Sequence, residues 1–247
     1  MAGPFIPAQK KLLPSHDIPG DPAFKGLKIV RCQSDEESRR RFADSEYEFQ
    51  HELAKRHEVP GVTLALKGAP ATYRLVAMMH TTLRQFIDIV RYNPAQPPLE
   101  DYDALEMQGA HEQTQSDFKN QKLKNLEDFK QYNIEAMRGE RVAYLPPISG
   151  WQSTAVFDDT IFVAFDETNP LALYGTLYLP KKPVMQSDGQ TQTGALFATA
   201  ASGLAIKNGG LDNFAVTLEV ELNVEKRLAA QSFADRNGRG SKKNKNL

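Results

Sequence analysis

A single cysteine, Cys32, stands in a chain of 247 residues. That scarcity excludes an internal disulfide and any zinc site built from several cysteines. It fits a reducing compartment. Arg31 precedes Cys32 and favours the thiolate, but nothing else marks a reactive centre there, and the thiol reads as inert. Neither sign of charge is in excess. Thirty Lys and Arg against 31 Asp and Glu leave a formal net charge of −1. A chain so balanced has no global attraction for nucleic acid, so contact with phosphates must come from a local patch. Long apolar runs are missing as well, and none approaches the ~20 residues of a membrane-spanning helix. Met1-Ala2-Gly3-Pro4-Phe5 lacks the basic and apolar regions of a signal peptide. The expected location is cytoplasmic. There is no Gly-x-Ser-x-Gly, no Walker loop and no Gly-x-Gly-x-x-Gly, so a small-molecule enzyme of the common classes is not expected. His51 and His57 do not form a zinc-protease pair. Lys55 stands where the second histidine belongs, and the wider spacing puts the two rings on different helix faces. No metal site is expected.

What is present suits a globular domain. Apolar residues make up 40% and charged residues 25%, ordinary for a soluble chain able to bury a core. Residues 1–26 carry Pro4, Pro7, Pro14, Pro19 and Pro22, which predicts an extended arm. Leu27–Cys32 alternates like a strand. Ser34 with Glu37 forms a capping box, opening a helix to about Lys55 or His57. The triplet Arg39-Arg40-Arg41 reads as its solvated face. Pro60-Gly61 is expected to end that segment, and Val62–Leu66 to form a strand. From Thr72 to Tyr92, the spacing of Leu75, Val76, Met79, Leu83, Phe86, Ile87 and Val90 predicts an amphipathic helix.

Pro94 to Pro98 is the candidate boundary between an N-terminal α/β region (27–98) and a second domain (118–235), unless 27–235 is continuous. The acidic stretch 99–117 reads as loop or weakly held helix. Gln121–Met137 is predicted helical, with Gly139 as its C-cap. Val142–Pro147, Ala155–Phe157 and Ile161–Phe165 read as strands, the last two joined by a hairpin turn at Asp158-Asp159. Leu173–Leu179 and Phe214–Leu222 are further strands, and Glu225–Asp235 a helix. The tail, 236–247, holds Arg236, Arg239, Lys242, Lys243 and Lys245 and no acid, as in basic segments that touch phosphates.

The most informative stretch runs from Ser187 to Leu196. It lies between the Leu171–Leu179 run, with its Pro-Lys-Lys-Pro turn, and an apolar, alanine-rich helix over Ala195–Gly203. Strand, Asp-Gly loop and helix N-terminus would place backbone N–H groups and the positive end of a helix dipole together, which suits an anion. An ordinary turn with Asp188 or Ser187 as N-cap is the alternative.

Asp188-Gly189-Gln190, followed by two polar residues and an apolar helix, resembles the signature of the DGQHR-domain proteins. Within these it is similar to the DndB family, associated with DNA sulfur modification (phosphorothioation). Thr191 and Gln192 stand where that family usually has His and Arg. Two flanks support the likeness: Gln121–Tyr132 leading into Tyr144-Leu145-Pro146-Pro147-Ile148, and Ala230–Asn237 followed by Lys242–Leu247. The resemblance covers about residues 118–247. It implies an α+β, ParB/sulfiredoxin-like mixed-sheet domain behind a helical N-terminal region. It also implies a DNA-binding regulator with possible nucleoside triphosphate hydrolysis assisted by Mg2+. On that reading Gly189 cradles a phosphate, Asp188 holds a metal or orients water, and Gln190 bonds phosphate or ribose. Thr191, Gln192 and Lys182 would complete the nucleotide contacts, while the five tail bases would touch DNA. Thr191 and Gln192 remove the family's acid/base and its charge partner for phosphate. The alternative is therefore a catalytically inactive scaffold of a DNA modification or defence complex. Against the family the chain reads as short at its C-terminus.

Overall fold

The computed structural model describes residues 10–13, 27–32, 51–96, 121–169, 171–207, 209–225 and 227–229. The expected Ser34 helix start, the arginine triplet, the acidic stretch 99–117 and the basic tail lie outside them. Along the chain the elements are β1 (Lys10–Leu13), β2 (Lys28–Cys32), β3 (Arg56–Lys67), β4 (Arg74–Thr82) and α1 (Leu83–Val90). Then come α2 (Gln121–Met137), β5 (Ile148–Ser153), α3 (Thr154–Phe157), β6 (Ile161–Asn169), β7 (Ala172–Pro180) and β8 (Met185–Asp188). The last are α4 (Gln190–Ala200), α5 (Gly203–Lys207), α6 (Gly210–Asn213) and β9 (Ala215–Val224). Helices and a mixed sheet together agree with the expected α+β class.

Two compact units are each gathered from separate stretches. The first takes its described residues from Met1–His80, Thr154–Lys182 and Val220–Asn223, the second from Thr81–Ser153, Pro183–Glu219 and Val224–Leu247.

In the first unit the strands run β1-β2-β6-β7-β3-β4. Only β2 with β6 is parallel; β1–β2, β6–β7, β7–β3 and β3–β4 are antiparallel. Lys10–Leu13 is thus a strand within what the sequence suggested was an extended arm. The helical turn at 51–54 ends before Lys55, and His57 already belongs to β3 rather than to that helix. Strand β3 also runs through Pro60-Gly61, where the sequence predicts a stop. Its register against β7 shifts between Val59 and Val62, and Gly61 has φ 69°. A bulge explains this: it absorbs a residue that lacks a ladder donor and lets the strand continue. Val59, Val62, Leu64 and Leu66 then face the core. Leu53, Ile161, Val163 and Tyr178 form a further buried cluster.

The expected helix over Thr72–Tyr92 is a strand followed by a short helix. Leu75, Val76, Ala77 and Met79 are all buried in β4. A strand buried on both faces is apolar at successive positions, and such a run mimics helical spacing. The real helix start is a capping box. Thr82 Oγ1 accepts from Gln85 N–H, and Gln85 Oε1 accepts from Thr82 N–H.

In the second unit, α1 buries Leu83, Phe86, Ile89 and Val90. Helix α2 packs on α4. It ends as expected at Gly139, where Gly139 N–H reaches Ala136 O and Glu140 N–H reaches Glu135 O, the Schellman pattern. Val142–Pro147 is not a strand; the strand begins after it, at Ile148. Pro146 and Pro147 have no N–H to give a ladder. Strands β5 and β8 pair antiparallel, and Trp151 packs with Val224, Ala229 and Met185. In the first unit Ala155–Phe157 is helical, so Asp158-Asp159 joins α3 to β6 and makes no hairpin turn.

Candidate functional site

The Asp-Gly-Gln stretch lies in the second unit. Its feeding strand is β8, which includes Ser187 and Asp188, and not the Leu173–Leu179 run that the sequence suggested. Helix α4 begins at Gln190, so Thr191 and Gln192 occupy its first turn rather than a loop. Neither Asp188 nor Ser187 caps it. Gly189 is the N-cap, with φ 87° and no side-chain cap bond. Only a residue tolerant of left-handed backbone turns the chain so sharply from strand to helix.

The polar groups of the loop serve the fold. Asp188 Oδ1 accepts the Gly189 N–H at 2.7 Å. Gly189 O accepts the Thr193 N–H at 2.8 Å. The Gln190 side chain is buried, 4% exposed. Gln192 Oε1 would lie 3.4 Å from a Cβ on Gly189, and Ile148 Cγ1 3.2 Å from it. Asp188 is exposed, while Thr191 and Gln192 are half-buried. A carboxylate oxygen and an amide oxygen therefore sit at the start of the helix. Both are acceptors, and an anion drawn by the helix dipole would meet their negative charge density.

Beside the loop lies a pocket lined by Phe129, Asn133, Leu145, Pro146, Ile148, Gln192, Leu196 and Val216, with a volume of about 10 Å³. That is room for roughly one water, whereas drug-sized ligands occupy sites of about 300–1,000 Å³. The pocket does not fit a nucleotide. Among the described residues no group of three or more His, Cys, Asp or Glu side chains converges.

Of the residues singled out by sequence, Asp188, Gly189, Gln190, Thr191 and Gln192 are brought together at one strand-to-helix turn. Lys182 is exposed in the turn after β7, in the first unit. Arg236, Arg239, Lys242, Lys243 and Lys245 lie outside the described residues. Sequence reasoning missed Asn133, which is 1% exposed and bonds Thr199 across α2 and α4. The signal was a polar residue in the apolar stripe Phe129–Asn133, facing another at Gln192–Leu196–Thr199. It also missed Tyr132. The Tyr132 hydroxyl accepts from Tyr144 N–H and donates to Val142 O, and its ring carries Arg141 at 4.7 Å. Tyr132 thereby ties the Tyr-Leu-Pro-Pro segment to α2.

Among the described residues no helix is long and apolar enough to cross a membrane. No protein-family model matches the chain, and neither a curated protein nor a solved structure is significantly similar to it.

Proposed function

We propose that the chain is a DNA-associated accessory protein of the DGQHR, DndB-like type. Its role would be that of a regulator or scaffold in a DNA sulfur-modification system, without nucleotide hydrolysis. Three short blocks in the family's order support the DNA-modification part, and the region from 118 to 235 is then ParB-like. Five bases and no acid in 236–247 support contact with phosphates. One observation favours a non-hydrolytic role. The Asp188 carboxylate is bonded to the Gly189 N–H, a group that a phosphate would need.

Incubation with ATP, CTP and GTP, with and without duplex DNA, tests this reading. No turnover is expected, and Asp188→Ala leaves DNA affinity unchanged. Binding weakens with salt, by a slope of about −0.9 in log–log units per phosphate contacted. Replacing the five tail bases by alanine flattens that slope. DNA-stimulated turnover lost in Asp188→Ala would contradict the proposal and restore the hydrolase. Absence of DNA binding in a folded sample would leave only the scaffold, to be sought through a protein partner.

A further inference from the structure

The pocket between α2 and α4 contains an acceptor that the protein itself does not satisfy. Asn133 is almost wholly buried, and its Nδ2 donates to Thr199 Oγ1 at 3.3 Å. The Thr199 hydroxyl proton is already committed, donating to Ala195 O at 2.7 Å. Thr199 can therefore only accept from Asn133, which fixes the amide orientation: the nitrogen faces Thr199 and the oxygen faces away. Turned the other way, Asn133 Oδ1 would meet a hydroxyl with no proton to give. In the fixed orientation Asn133 Oδ1 is buried with no hydrogen-bond partner among the described residues. An unmet buried acceptor costs about 1–3 kcal/mol, and native proteins rarely leave one.

Asn133 and Gln192 are the polar side chains of a pocket otherwise lined by Phe129, Leu145, Pro146, Ile148, Leu196 and Val216. Its volume of about 10 Å³ matches roughly one water, and two amides supply the minimum of polar partners such a water needs. We infer that this pocket is a binding site for a single internal water, which donates to Asn133 Oδ1 and is shared with the Gln192 carboxamide. The water bridges α2 to the helix that Asp188-Gly189-Gln190 opens. Gln192 lines the pocket and can either donate to that water or accept from it. The inference is independent of whether the protein acts on DNA.

A high-resolution crystal structure of the full chain is the first test. The expected result is one solvent peak roughly 2.5–3.0 Å from Asn133 Oδ1, enclosed by Leu145, Pro146 and Gln192. In solution, water cross-relaxation to the Asn133 carboxamide protons should show a long-lived water, and Asn133→Leu should remove that water's signal from neighbouring protons. Dry density in the pocket, a protein donor on Asn133 Oδ1, or no long-lived water in the wild-type spectrum would each overturn the inference. The wild-type measurements suffice even where the variant does not fold.

Discussion

Gly189 concentrates the local argument. Its φ of 87° belongs to the left-handed region, which costs an L-residue about 1–2 kcal/mol. An alanine methyl would also meet Ile148 Cγ1 at 3.2 Å. Gly189→Ala should lower stability to urea by about 1–2 kcal/mol, read as a shifted unfolding midpoint; an unchanged midpoint would show that the turn is not fixed as described.

Tyr178 gives a pH signature. Its hydroxyl donates to Glu58 Oε1 at 3.1 Å. Burial first, and the Glu58 charge second, raise its pKa above the ordinary value of 10.0. The folded protein thus holds this proton more tightly than the unfolded chain does. The stabilisation is complete below about pH 10 and is lost as pH rises above it. Wild-type protein should lose stability through that alkaline range, and Tyr178→Phe should follow a flatter profile. Parallel profiles for the two would refute this.

At the scale of elements, the β4–α1 junction shows why part of the sequence was misleading. Leu75, Val76, Met79 and Leu83 fit a helical stripe, yet the first three lie in a strand buried on both faces. Periodicity alone cannot separate those cases. The deciding information was local and present: Thr82 and Gln85, spaced as a capping box, mark where the strand stops and the helix begins. Thr82→Ala should cost about 0.5–2 kcal/mol in chemical denaturation, and Gln85→Ala should also destabilise, because each side chain bonds the other residue's backbone N–H. An unchanged unfolding midpoint in both variants would show that no reciprocal cap exists. Pro60-Gly61 misled in the opposite direction. A proline and a glycine usually stop a strand, but here the pair is absorbed as a bulge within β3. By contrast β7, β9 and α2 were legible because alternation, helical length and a Gly139 cap each pointed one way.

At the scale of the molecule, the sequence conveyed the mixed class but not the pairing. Strand β2 lies parallel to β6, and β3 sits between β7 and β4. Such choices depend on partners far away along the chain, and no local pattern encodes them. The candidate site was legible as a strand-to-helix turn at Asp188-Gly189-Gln190. Its chemistry was not, because spacing cannot show that the Asp188 carboxylate bonds the neighbouring N–H or that Gln190 is buried. The Asp188 bond and the burial of Gln190 are contacts of the turn itself, and on the proposed reading the motif has no part in hydrolysis.

The most direct test of that claim is nucleotide hydrolysis by purified protein with and without duplex DNA, beside Asp188→Ala. The account predicts no turnover by either protein and salt-sensitive DNA binding that the substitution leaves intact. Turnover that DNA stimulates and Asp188→Ala abolishes would contradict it.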